Sequence, residues 1–313
     1  MIKYFDFEKA IEQIDNKVRE LQESDNAEKN KKIDKFNIEK QNIFKKIYSN
    51  LNSWQKVQIA RHPDRPHTTD YINNIFSNFV PLSGDKKFGE DAAIICGIGK
   101  IIDQSVIIIG NEKGSSMETR IKHNFGMAKP EGFRKAQRIM FLAEKLNLPI
   151  ITFVDTAGAF PGKEAEERGQ SESIASSIAT CLKVKTPLIT LIIGEGGSGG
   201  AIALATADKI LMLEHSIYSV ISPEGCSSIL WRSPDFVQQA AEALKITAND
   251  CLNLGIIDEI VQEVAGGAHR FANQQFEIVK KIILKNLDAV KNISLDDLIL
   301  KRNEKFLNIT SSD

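Results

Sequence analysis

The chain has 313 residues, which at roughly 150 residues per domain leaves room for about two domains or one large domain with an extension. Its 42% hydrophobic and 26% charged residues are those of an ordinary globular protein and exclude collagen-like, disordered and mucin-like classes. Lys and Arg number 40 against 41 Asp and Glu, a formal net charge of -1, so the basic excess of a dedicated nucleic-acid binder is missing.

Met1-Ile2-Lys3-Tyr4-Phe5-Asp6 has no basic-then-apolar secretory pattern. The longest apolar runs, Ile101-Ile102 and Val106 to Ile109, are broken well short of a membrane span. Cys96, Cys181, Cys226 and Cys251 lie far apart without a Cys-x-x-Cys, so reduced thiols in a cytoplasmic protein are expected and a zinc ribbon is not. Cys226, after a Pro-Glu-Gly turn, reads as a small buried apolar group.

Ile11, Ile14, Val18 and Leu21 recur at helical spacing and predict an amphipathic helix. A charged break from Glu23 to Lys32 follows, then a second helix over Ile33, Phe36, Ile43, Phe44, Ile47, Tyr48 and Leu51. Gly and Pro are missing from residues 1–60, which read as a helical extension that packs on its own domain or on a partner subunit. His62-Pro63-Asp64-Arg65-Pro66-His67 is a rigid turn, because each proline fixes its own φ and biases the residue before it.

Beyond the turn the texture changes. Apolar, β-rich runs are predicted over Ala92 to Gly97, Ser105 to Ile109, Pro149 to Val154, Pro187 to Ile193 and Lys209 to Leu213. Helices are predicted over Glu131 to Leu146, Ala165 to Lys183 and Gly199 to Ala207. That alternation indicates a mostly parallel sheet covered on both faces. From about Ala268 two more helices are expected, with Ile278, Ile282, Ile283 and Leu287 on one stripe.

Two strand ends carry unusual loops. Asp155-Thr156-Ala157-Gly158-Ala159-Phe160-Pro161-Gly162 leads toward one helix, and Gly194-Glu195-Gly196-Gly197-Ser198-Gly199-Gly200 runs straight into another. Both place amides free of Cβ bulk at a helix N-terminus, where unpaired N–H groups and the helix dipole attract negative charge. The ligand is a phosphate or an oxygen that becomes anionic during reaction. Tight packing is the plainer explanation, although it rarely needs five glycines in seven residues.

Three sharper readings compete for the second loop. Gly194-x-Gly196-x-x-Gly199, with Glu214 downstream, matches the dinucleotide fingerprint, but the helix after it is short and the motif sits deep in the chain. Gly196-x-Ser198-x-Gly200 matches a nucleophile elbow, with Asp258 and His269 in hydrolase order. The third takes both loops as oxyanion-binding amides in a fold that stabilises enolates.

Here a resemblance becomes specific. The two loops, with Arg168-Gly169-Gln170-Ser171-Glu172, Tyr218-Ser219-Val220-Ile221-Ser222-Pro223-Glu224-Gly225-Cys226, Asn124-Phe125-Gly126-Met127, Gly266-Gly267-Ala268-His269-Arg270, Trp54 and Arg61-His62-Pro63, resemble the α subunits of bacterial acetyl-CoA carboxylase carboxyltransferases over nearly the whole chain. Ala157 stands where many members have Pro, a change in loop stiffness more than in chemistry.

The resemblance implies a crotonase-like α/β fold of stacked ββα units. Its domains are residues 1–60 as the N-terminal helical extension, 61–290 as the carboxyltransferase domain and 291–313 as a C-terminal helical tail. It implies transfer of a carboxyl group from carboxybiotin, on the biotin carboxyl carrier protein, to acetyl-CoA, giving malonyl-CoA for fatty acid biosynthesis. It also implies an α2β2 assembly with a zinc-ribbon-bearing β subunit that shares the active site, and biotin carboxylase in the larger complex. No metal, membrane or nucleic acid is expected for this chain, while ATP and nucleotide binding come with the family. The amides of Gly199 and Gly200 are implied to hold the biotin oxygen, with Gly196, Gly197, Ser198, Gly158 and Ala159 around it. Ala157, Gly158 and Ala159 are expected to line the same cleft. Lys113-Gly114, Arg120, Lys122 and Arg134 form a basic stretch, either for CoA phosphates or as a solvated face. His62, His67, His123, His215 and His269 read as structural or exposed.

Overall fold

The computed structural model describes residues 3–23 and 28–309. A 3-10 turn at Asp6–Glu8 precedes helices α1 (Lys9–Gln22), α2 (Lys29–Tyr48), α3 (Ser53–Ala60) and α4 (Thr68–Ile75). Next come β1 (Ser77–Pro81), β2 (Ile94–Ile101), β3 (Gln104–Asn111), α5 (Met117–Lys122), α6 (Pro130–Leu146) and β4 (Ile150–Thr156). They are followed by α7 (Lys163–Glu167), α8 (Gln170–Lys183), β5 (Leu188–Gly197), α9 (Ser198–Ala205), β6 (Lys209–Leu213) and β7 (Ile217–Ser219). The chain ends with α10 (Pro223–Leu230), α11 (Val237–Ala243), α12 (Ala248–Asn253), β8 (Glu259–Val261), α13 (Ala272–Val290) and α14 (Leu295–Asn308).

One sheet runs β1-β2-β3-β4-β5-β6-β8, with β7 also paired to β5. β3 to β6 and β8 are parallel, as the apolar runs predict, while β1, β2 and β3 form an antiparallel edge. Ile101 pairs with Gln104, so β2 turns into β3 through only Ile102 and Asp103, too short for a crossover. Successive side chains of one strand feed opposite cores: Ile107 and Ile109 pack with α6 residues Phe133, Ile139 and Met140, whereas Val106 and Ile108 pack with α4 and α13 residues Tyr71, Val279 and Ile283. Each apolar run therefore lacks a polar face. β1, β7 and β8 carried no sequence signal, since they are short or exposed.

The helix expected over Ala165 to Lys183 is broken. Gly169 adopts φ 80 and starts α8 anew after α7, a left-handed state that glycine enters without penalty. Of the charged break from Glu23 to Lys32, residues 24–27 lie outside the described residues and Lys29 already belongs to α2.

The N-terminal helices rest on the segment before α13. Glu8, fully buried, accepts from the Tyr48 hydroxyl at 2.7 Å and pairs with Arg270 at 2.9 Å. Ile11, Phe44 and Tyr48 pack there with Phe271.

Candidate functional site

β4 and β5 are parallel neighbours, and both end in a glycine loop at the same edge of the sheet. Thr156 pairs with Gly196, so the loops leave the sheet side by side. Their backbones then touch. A Cβ on Gly197 would lie 2.2 Å from the Ala157 carbonyl oxygen, and one on Gly200 2.6 Å from the Gly158 carbonyl carbon. A Cβ on Gly194 would meet the Asp155 carboxylate at 2.4 Å, and one on Gly196 the Tyr218 ring at 3.0 Å. Close packing thus explains four of the five glycines, more than the sequence reading allowed. Gly199 is different: its Cβ would meet only the side chain of Ile174, at 3.3 Å.

α9 begins in the turn itself. The first-turn amides of any helix lack intrahelical acceptors, and the N-cap here is Gly197, which has no side chain to cap them. Ser198 holds φ 49, a conformation few non-glycine residues adopt. Ser198 is exposed, Gly199 half-buried, and both line an apolar cleft of about 380 Å³ with Ile202, Tyr218, Val220, Leu244 and Leu254. Gly200 is buried behind them. The other end of the helix is tied down from below, because the Thr152 and Thr190 hydroxyls donate to the Leu204 carbonyl at 2.9 and 3.0 Å.

The first loop contributes differently than expected. The Gly158 amide donates to Thr156 Oγ1 at 3.1 Å and is occupied within its own turn. Ala159 packs beside Gly200, but Ala157 lines a second, polar cleft of about 220 Å³ with Arg61, His67, Lys113, Arg120, Phe125 and Glu195. Ala157 thus lies at a different cleft from Ser198 and Gly199, and neither Gly158 nor Ala159 lines the apolar one.

Buried charges floor the polar cleft. Lys113 Nζ lies 2.7 Å from Asp155 Oδ1 and 3.4 Å from Glu195 Oε2, while Arg61 pairs with Glu195 at 2.6 Å and with Glu224 at 2.7 Å. His67 Nδ1 stands 3.2 Å from Asp155 Oδ2. Burial alone would raise the Asp155 pKa, but Lys113, His67 and the Glu195 amide outweigh it and hold the carboxyl well below the usual range. Burial alone would lower the Lys113 and His67 values, and the facing carboxylates raise both. Sequence reasoning missed this cluster, since its members look unremarkable one by one.

The rival constellations do not assemble. The Asp258 carboxylate is taken by the Ile210 amide and by Lys305, and His269 stacks on His62 at 4.2 Å, with no hydrogen bond to either ring nitrogen among the described residues. Ser198 therefore has no Asp-His relay. Glu214 accepts from the Glu263 amide, and α9 has 8 residues, which leaves the dinucleotide fingerprint without its ribose ligand. The basic stretch partly disperses: Lys113 and Arg120 line one cleft, where Lys113 is ion-paired and Arg120 bonds the Gly114 carbonyl, whereas Arg134 bonds the Arg168 carbonyl and Glu172 in another cleft and Lys122 is exposed. His62, His67 and His215 are buried, and His123 bonds the Ala92 carbonyl at 2.6 Å. Cys226 is buried, as expected.

Burial, reinforced by His62 and Arg270, pushes the His269 pKa down to about 2. The unfolded ring binds a proton below about 6.5, whereas the folded ring stays neutral until far lower pH. Stability present above about pH 6.5 is therefore lost as pH falls, by up to about 1.4 kcal/mol per pH unit for this one group. Urea midpoints between pH 7 and pH 5 should fall, and His269→Gln should flatten that acid limb; an unchanged slope would refute the assignment.

Among the described residues no group of three or more His, Cys, Asp or Glu is placed to hold a metal, and no helix is long and apolar enough to cross a membrane. Solved structures with the same arrangement include the transcarboxylase 12S core (TM-score 0.55, 18% identity, 72% of this chain and 44% of that one). A Pseudomonas malonate decarboxylase hetero-tetramer gives a TM-score of 0.56 at 14% identity, over 69% of this chain and 86% of that one. The chain thus spans less than half the length of the transcarboxylase chain, and these likenesses concern the fold. That fold is the crotonase-like fold of the carboxyltransferases.

Residues 4–310 match the family described as acetyl co-enzyme A carboxylase carboxyltransferase-like. The acetyl-coenzyme A carboxylase carboxyl transferase subunit alpha of Zymomonas mobilis is 50% identical over 311 residues, 99% of each chain, and that of Paramagnetospirillum magneticum 52% over 305, 96% of each. The chain belongs to this family, as an alpha subunit of the biotin-dependent carboxyltransferase. The comparisons give no support for ATP or nucleotide binding by this subunit.

Proposed function

We propose that this subunit carries the biotin side of an active site that moves a carboxyl group to acetyl-CoA, yielding malonyl-CoA for fatty acid biosynthesis in the cytoplasm. The observation that carries this reading is the uncapped start of α9, with Gly199 at the wall of an apolar cleft. A cradle that admits no Cβ at Gly197 or Gly200, beside an apolar wall, suits a small ring bearing one oxygen that gains charge. Carboxybiotin, when presented there on its carrier protein, supplies the activated carboxyl group.

The chain's own residues bind and orient. The Gly199 and Gly200 amides donate to that oxygen, and each such donor is worth about 3–4 kcal/mol, roughly 100- to 1000-fold in rate. Gly196, Gly197 and Ser198 set the helix start, and Gly158 and Ala159 brace it. A β subunit with a zinc ribbon completes the site in an α2β2 assembly, and biotin carboxylase belongs to the larger complex. Residues 1–60, 61–290 and 291–313 serve as extension, carboxyltransferase domain and tail.

No side-chain nucleophile takes part on this reading. With purified β subunit and free biotin as acceptor, carboxyl exchange with malonyl-CoA should require both chains, and Ser198→Ala should retain turnover within about threefold. Turnover by this chain alone would point instead to a self-sufficient acyl-CoA decarboxylase or hydratase. Labelling of Ser198 by a fluorophosphonate, with activity lost in Ser198→Ala, would point to a hydrolase.

A further inference from the structure

We infer that Asp155 and Lys113 are positioning residues that set the spacing of the two glycine loops. The inference rests on the carboxyltransferase reading of those loops.

Asp155 is the penultimate residue of β4, but its side chain crosses to the neighbouring strand. Oδ1 accepts the Glu195 amide at 2.9 Å and lies 2.7 Å from Lys113 Nζ. Gly194 is what admits the carboxylate, because a Cβ there would stand 2.4 Å from Oδ1. Lys113 follows β3 and reaches both Asp155 and Glu195, so the cluster joins the ends of three consecutive strands. Arg61 closes it from α3's end and links Glu195 to Glu224 on α10.

The side chains of Asp155, Glu195 and Lys113 are 3%, 10% and 17% exposed, so water screens these pairs little. Only two residues separate Glu195 from Ser198, where α9 begins. With so short a lever, the Glu195 bond holds the α9 amides against Gly158. Mispositioning of a catalytic group by about 1 Å is enough for a loss on the order of 100-fold. Asp155, Lys113 and Glu195 pair with one another and do not line the α9 cleft, so the cluster acts through the amides.

The test uses the complex reconstituted with β and, separately, the full chain alone. Asp155→Asn and Lys113→Met should each lower kcat about 30- to 100-fold per assembled complex, with KM for malonyl-CoA within about threefold. The double variant should be no worse than the poorer single one, because the groups act as a unit. Hydrogen exchange of the 194–201 segment in the chain alone should rise at least about tenfold in both variants, while 94–111 stays protected. Unchanged exchange over 194–201, or a change in KM alone, would overturn the inference, as would raised exchange with kcat unaltered. Failure of the carboxyltransferase reading shows separately, as no turnover by the unsubstituted complex, and the exchange comparison still decides whether the cluster holds the loop.

Discussion

Gly200→Val is expected to lower carboxyl transfer by at least about 1000-fold, while the chain still assembles with its partner. Two costs combine. A Cβ at this position would stand 2.6 Å from the Gly158 carbonyl carbon, 2.7 Å from its oxygen and 2.9 Å from the Ala159 nitrogen. All three are backbone atoms, so the first loop must move away from α9. That movement carries the first-turn amides off their target, and the valine methyl groups occupy the space between the loops. Overpacking of this kind destabilises by about 1–3 kcal/mol, which a protein of ordinary stability survives. The contrast is Gly199→Ala, where the added carbon meets only the Ile174 side chain, Cδ1 at 3.3 Å and Cγ2 at 3.4 Å, and no backbone. Gly199→Ala should keep turnover within about tenfold of the unsubstituted chain. Steady-state kcat with equal amounts of assembled complex separates the two, and equal losses would contradict the proposed geometry.

Arg302→Met should have the largest effect on stability. The Arg302 guanidinium is fully buried between α14 and the body, and it bonds the carbonyls of Cys181, Val184 and Thr186 at 2.5, 3.0 and 2.9 Å. It also forms a two-pronged pair with Asp208, both contacts at 2.7 Å. Removing it strands a buried carboxylate and three carbonyls, a loss of about 3–5 kcal/mol, or on the order of 10 °C in Tm. Asp208→Asn together with Arg302→Met should recover part of that loss, because the stranded charge is gone. A drop under about 1 kcal/mol in urea titrations would show that α14 is a dispensable tail. Its anchoring was not visible beforehand: Arg302 sits in a charged segment, and its partners lie 94 to 121 residues away.

Much of the architecture was legible because it depends on short-range patterns. Continuous apolar runs implied a sheet covered on both faces, and the alternation of Val106, Ile107, Ile108 and Ile109 between two cores is that implication realised. The amphipathic N-terminal helices, the start of α9 and the two glycine loops were equally clear, since each is written in spacing or in glycine content. The break at Gly169 was missed because one glycine within a helical pattern does not announce φ 80. The motifs shared with the carboxyltransferase α subunits over nearly the whole chain carried the rest.

Other features depended on which strand ends meet. Lys113 looked like part of a basic stretch with Arg120, Lys122 and Arg134, yet its charge is spent on Asp155 and Glu195, 42 and 82 residues away. Ser198, Asp258 and His269 had the right order for a hydrolase, but order says nothing about distance: Asp258 bonds the Ile210 amide and Lys305, and His269 stacks on His62. Glycine abundance showed that something must approach closely; only the packed loops showed that it is another backbone at Gly197 and Gly200 and open cleft at Gly199. Helix and strand preferences act over a few residues and can be read from the chain alone. Ion pairing and backbone contact are decided by long-range topology, which brings together groups that no local pattern connects.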